Sequence, residues 1–134
     1  MDHRADRMKS LIIRTFFDCM EKEDFSQITI GKISEQALIN RSTFYRYFSD
    51  KYELRDEVVD HIVQDFADHM EVDFLHMDVS DAEHTRALHD CLAHLCTQKR
   101  ELEILWKQQL LGRNVFDEMM NAGARKVETE IQNH

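Results

Sequence analysis

Apolar residues recur along this chain at intervals of three and four and almost never alternate, which resolves it into amphipathic helices parted by short polar breaks. From about Arg4 to Lys22, the residues Met8, Leu11, Ile12, Thr15, Phe16, Cys19 and Met20 draw one wide stripe and predict a first helix. Asp24, Phe25 and Ser26 break the period, and Thr29 offers its hydroxyl as the N-cap of a second helix running to about Gln36. Ala37 to Asn40 reads as a turn, and Asn40 or Arg41 opens a third helix that ends near Phe48. Ser49 and Asp50 supply capping oxygens for a longer fourth helix, Lys51 to Phe74, on which Leu54, Val58, Ile62, Phe66, Met70 and Phe74 recur every four residues. After a polar break at Asp78 to Asp81 the stripe resumes with Ala87, Leu88, Cys91, Leu92, Leu95 and Cys96. Two more helices are expected, from about Arg100 to Leu111 and from about Arg113 to Glu130.

The stretch from Thr29 to Leu54 therefore reads as a short helix, a tight turn and a second short helix, and its residues divide by face. Ile33, Ala37, Ile39, Phe44 and Phe48 form the expected core of this helix-turn-helix. Their spacing leaves Arg41, Ser42, Thr43 and Tyr45 on the outside of the third helix, with Tyr47 nearer its edge. A helix presented in this way fits the major groove of B-DNA, where an arginine can bond guanine bidentately and hydroxyls can reach bases or phosphates. Two exposed tyrosines beside an arginine are poorly explained by solubility.

Composition supports the helical reading. The 134 residues include no proline and only three glycines, so an almost wholly helical chain is expected. The net charge of -9 argues at first against a nucleic-acid partner, but its distribution reverses that argument. Residues 1–54 hold nine basic and nine acidic side chains, whereas residues 55–134 hold eight against seventeen. One end can meet DNA and the other repels it. Three cysteines, Cys19, Cys91 and Cys96, suggest no disulfide framework, and no run is apolar enough for a signal peptide or a membrane span. A soluble cytoplasmic protein with reduced thiols and no membrane association is expected.

The motif Thr43-Phe44-Tyr45-x-Tyr47-Phe48-x-x-Lys51-x-x-Leu54, with Ile30, Ile33, Ala37, Ile39, Arg41 and Ser42 before it, resembles the DNA-binding domain of the TetR/AcrR family of bacterial transcriptional regulators. The resemblance covers roughly residues 8–74. It implies an all-α protein with an N-terminal three-helix helix-turn-helix domain (residues 1–50), followed by a long connecting helix and a shortened C-terminal bundle for effector binding and dimerisation (residues 51–134). It further implies that Arg41, Ser42 and Thr43 face base edges, while Thr29, Tyr45, Tyr47 and Lys51 hold phosphates of a double-stranded operator. Two positions depart from the family. Leu38 stands where a glycine usually follows the alanine, so a tighter or more helical turn is expected, because a left-handed residue there costs about 1 kcal/mol. Gly31 replaces a longer polar residue, which predicts fewer contacts from the second helix.

By the same resemblance the protein acts as a homodimeric regulator, a repressor released by a small apolar effector, with no cofactor. Leu92, Trp106, Phe116, Met119 and Met120 are the candidates for an effector pocket or an interface. The family spends more residues on this region, so either the chain is a shortened form or it dimerises through its last helix, using Val115, Phe116, Met119, Met120, Val127 and Ile131. Two other readings remain open: a helical protein-interaction module that no longer binds DNA, and a metal-responsive regulator. Six of the eight histidines lie between His61 and His94, and His61, Asp65 and His69 share one helical face that could hold zinc or nickel, with Cys91 or Cys96 as a soft fourth ligand. Phosphate-loop, nucleophile-elbow and zinc-hydrolase motifs are all missing from the sequence, so no catalysis is expected.

Overall fold

Periodicity of three to four becomes helix throughout. The computed structural model describes residues 3–69 and 82–133. Among them are α1 (His3–Lys22), α2 (Ile30–Ala37), α3 (Arg41–Tyr45), α4 (Lys51–His69), α5 (Ala82–Thr97), α6 (Lys99–Lys107) and α7 (Val115–Asn133), with a single 3-10 turn at Phe25–Gln27 and no strand. The all-α expectation holds. The end of the fourth helix at Phe74, its stripe residue Met70 and the polar break at 78–81 lie outside the described residues.

The helix starts follow from capping chemistry. Thr29 accepts a hydrogen bond from the backbone N–H of Lys32 at 3.1 Å and so begins α2. At α4 the Asp50 carboxylate accepts from the Glu53 N–H at 2.8 Å, and the Glu53 carboxylate accepts from the N–H of Ser49 at 3.3 Å and from its hydroxyl. This is a capping box whose return bond reaches one residue before the cap. Asn114 serves α7, its side chain accepting from the Asp117 N–H at 3.0 Å.

The chain divides into two compact units, Met1–Val59 with Lys107–Arg113, and Asp60–Trp106 with Asn114–His134. The boundary expected after residue 50 thus falls within α4, because Leu54, Val58 and Val59 are buried with the core of the first unit. That core is built from Ile12, Phe16 and Met20 of α1, Phe25 and Ile28 around the 3-10 turn, Ile33 and Ala37 of α2, and Phe44 and Phe48. Phe25 stands edge-on to Phe16 at 6.0 Å and to Tyr52 at 5.7 Å, the arrangement favoured by aromatic quadrupoles. Residues 107–113 return to this unit through Gln108, whose amide donates to the carbonyls of Met20 at 2.8 Å and Glu23 at 3.2 Å and accepts from the Phe25 N–H at 2.9 Å. The helix predicted to reach Leu111 therefore stops at Lys107, and Leu111 and Gly112 take positive φ values of 48° and 104°. In the second unit Leu102, Ile104, Leu105, Val115 and Met119 are buried, and Lys126 of α7 donates to the Ala67 carbonyl of α4.

The turn between α2 and α3 corrects one expectation. Leu38 does adopt the left-handed conformation, with φ 59° and ψ 43°, rather than a tighter or more helical one. Two hydrogen bonds hold it there, Leu38 N–H to the Glu35 carbonyl at 3.2 Å and Ile39 N–H to the Ser34 carbonyl at 2.9 Å. These are the paired bonds of a Schellman motif, and closing the helix end offsets the strain of a side chain at positive φ. The leucine gains nothing from burial, being 91% exposed. Leu38→Gly should accordingly raise the unfolding free energy by about 1 kcal/mol in urea denaturation; a loss of stability would show that the exposed leucine contributes more than its backbone strain removes.

Candidate nucleic-acid interface

Helix α3 has only five residues, and its shape is imposed from both ends and from beneath. Asn40 precedes it in an extended conformation, and its carbonyl accepts from the N–H groups of Thr43 at 3.0 Å and Phe44 at 3.3 Å. Beyond Tyr45, single turns (Arg46 to Thr43, Tyr47 to Phe44, Phe48 to Phe44) carry the coil on to Phe48. Phe44 and Phe48 are buried with ring centroids 5.7 Å apart, and together they fix which face looks outward. Of the expected helix-turn-helix core, Ile33, Ala37, Phe44 and Phe48 are buried and Ile39 is half-buried.

The outward face carries Arg41, Ser42 and Tyr45, all exposed, while Thr43 and Tyr47 are half-buried and Thr29 is exposed at the start of α2. Tyr45 is 54% exposed although its ring stands edge-on to Phe44 at 5.9 Å, so the ring is steadied and the hydroxyl end remains open to solvent. Arg41 lies across α2 at Gly31, where an added Cβ would come within 2.5 Å of a guanidinium nitrogen. Gly31 thus provides the space in which Arg41 rests, a relation the sequence gives no sign of because the two residues sit on different helices.

Lys51 has a different environment from the one expected of a phosphate contact. Its ammonium donates to the carbonyls of Phe25 at 2.8 Å, Ile28 at 3.0 Å and Ser26 at 3.4 Å, and lies 4.5 Å from the centroid of the Phe25 ring. Three acceptors match its three protons. Burial pushes the pKa of Lys51 below the ordinary lysine value, a cost that the carbonyls and the ring face offset in part.

In the second unit the expected effector or interface residues do not share one environment. Met119 is buried, whereas Leu92, Trp106, Phe116 and Met120 are each about half exposed. Trp106 stands edge-on to Phe116 at 5.9 Å, and Met120 follows one turn further along α7. The side chains of Val127 and Ile131 lie outside the described residues. Of the three metal candidates on α4, Asp65 and His69 come together with His94 of α5, while His61 is exposed and does not join them; nor do Cys91 and Cys96 among the described residues. The Asp65 carboxylate accepts from Nε2 of His94 at 2.6 Å and from the Gln98 amide at 3.0 Å. Burial acts to raise the Asp65 pKa, but the hydrogen bond and charge of His94 outweigh it and hold the carboxyl below its ordinary value.

Residues 12–58 match the family described as "Bacterial regulatory proteins, tetR family". Over this segment the N-terminal unit is similar to the tetR family. Over 73 residues, 54% of the chain, the protein is also 30% identical to an uncharacterized HTH-type transcriptional regulator, YxbF, of Bacillus subtilis (strain 168). The match covers 19% of that relative, so the chain spans about a fifth of its length. No solved structure matches the chain. The matched segment, from Ile12 to Val58, contains α2, α3 and the first turns of α4 and stops short of the histidine cluster.

Lys51→Ala tests what the lysine does in the first unit. With the carbonyls of Phe25 and Ile28 left without their donor, the substitution should lower stability by about 1–2 kcal/mol in urea denaturation. It should also leave the salt dependence of duplex binding unchanged. A slope reduced by about one, with stability intact, would mean that Lys51 leaves its carbonyls to neutralise a phosphate.

Proposed function

We propose that this protein is a sequence-specific DNA-binding transcriptional regulator, a cytoplasmic repressor that occupies a pseudo-palindromic operator as a homodimer and is released by a small apolar effector acting on the helices beyond α4. The observation that carries this reading is the outward face of α3, where Arg41, Ser42 and Tyr45 stand exposed on a helix pinned by Phe44 and Phe48, inside a segment that matches the tetR family. In this reading Arg41, Ser42 and Thr43 meet base edges, and Thr29, Tyr45 and Tyr47 donate to phosphates. Lys51 acts indirectly, by holding the 3-10 turn against the start of α4. The protein binds and does not catalyse. Two-fold symmetry sets the half-sites about one helical turn, or a multiple of it, apart.

Selection from a random duplex pool at two salt concentrations tests this reading. Wild type should enrich a two-fold symmetric motif, Tyr45→Ala should enrich none, and Arg41→Ala should lose about 1–3 kcal/mol of discrimination at one or two positions of the motif. No enrichment by wild type at low salt would remove sequence-specific DNA binding and leave the interaction-module reading.

The dimer is proposed to form through the exposed side of α7. Phe116 and Met120 lie one turn apart there, with Trp106 packed against the first, and Val115 and Met119 on the neighbouring face are committed to the interior. Phe116→Glu with Met120→Glu should therefore yield a monomer in light scattering, and a dimer that survives the double change would place the interface elsewhere.

A further inference from the structure

The DNA-binding reading leaves the cluster at the end of α4 without a role. Asp65 and His69 stand one turn apart on α4, and His94 of α5 meets them, so that one ligand atom from each lies within 4.8 Å of the other two. His94 Nε2 is 2.6 Å from Oδ2 of Asp65, and His69 Nδ1 is 3.5 Å from Oδ1 of the same carboxylate. The two imidazole rings are stacked, with centroids 3.6 Å apart and planes 8° from parallel.

The geometry points to a binding site for a divalent first-row transition ion, zinc in the first instance, held by Asp65, His69 and His94 with water in the remaining position. Two imidazole nitrogens and one carboxylate oxygen are a donor set suited to such an ion. Nδ1 of His69 lies 2.8 Å from the Asp65 backbone carbonyl, so the tautomer that donates there leaves Nε2 as the ring's ligand atom. His94 now turns Nε2 toward the carboxylate; carrying its proton on Nδ1 instead frees Nε2 for the ion. Gln98 donates to Oδ2 of Asp65 at 3.0 Å and fixes the carboxylate from outside, as the partners of metal-bound carboxylates commonly do. Around a tetrahedral ion with bonds near 2.1 Å two ligand atoms stand roughly 3.4 Å apart, so the 2.6 Å contact of His94 with Asp65 must open and the wider separations, up to 4.8 Å, must close. Side-chain rotation at partly exposed positions can supply this, since Asp65 is 20%, His94 29% and His69 43% exposed.

Titration of the full chain with cobalt(II), followed by its visible d–d bands and by competition with zinc, tests the assignment without any reference to DNA. Wild type should give one equivalent of tetrahedral bands that zinc displaces, and zinc alone should raise the melting temperature. His61→Ala should bind as wild type does, and His94→Ala and Asp65→Asn should each abolish the bands. Gln98→Ala should weaken binding about tenfold. Should His94→Ala lose helicity in circular dichroism, Asp65→Asn, which keeps the side-chain volume, decides alone. Absence of bands in wild type, or bands that persist in Asp65→Asn, would overturn the site.

Discussion

A helix of five residues cannot sustain itself in water, because fixing the first turn costs more backbone entropy than its few hydrogen bonds return. The outward face of α3 therefore depends on the burial of Phe44 and Phe48, which hold the segment against α1 and α2 and so set the direction in which Arg41, Ser42 and Tyr45 look. The supports beneath that contact serve the same end. Thr29 starts α2, the Schellman bonds at Leu38 stop it, and Lys51 ties the 3-10 turn to the first turn of α4. On α3 the labour is divided, with Arg41, Ser42 and Tyr45 exposed and Phe44 and Phe48 buried, whereas Thr29 both caps α2 and stands exposed beside that face.

Much of this was legible in the sequence because it is local. The cap at Thr29, the capping oxygen of Asp50 and the division of α3 into buried and exposed sides all follow from residues within one or two turns of each other, although Ser49, also expected to cap, instead donates to Glu53. What escaped is non-local. Nothing in the spacing reveals that Gln108 joins three backbone groups more than eighty residues away, or that Arg41 rests over the bare backbone of Gly31. Lys51 escaped for a different reason. Its place at a helix N-terminus suggests an anion, but the carbonyls at the end of the 3-10 turn come close enough to take all three of its protons.

The histidine cluster shows the same limit from the other side. Spacing along α4 puts His61, Asp65 and His69 on one stripe and cannot say which end of it meets another helix. The packing selects the later end, where His94 arrives from α5 and leaves His61 in solvent. The i, i+4 rule supplied two members of the cluster, and the third had to come from tertiary structure.

The distribution of cations also bears on how such a head can hold DNA. Between Thr29 and Lys51 there are four basic side chains, and two are occupied: Lys32 pairs with Glu23 at 2.8 Å, and Lys51 is held by carbonyls. Arg41 and Arg46 are exposed and make no ion pair among the described residues. Counterion release scales with the number of phosphates neutralised, so in the proposed DNA-binding reading a helix-turn-helix with two guanidinium groups outside ion pairs gains little from that source. In that reading the hydroxyl groups of Ser42 and Tyr45, and base contacts made by Arg41 itself, supply a larger share of the binding energy. A weakened sequence-independent term would favour an operator over bulk DNA, and that suits a chain of net charge -9 whose acidic excess lies beyond residue 54.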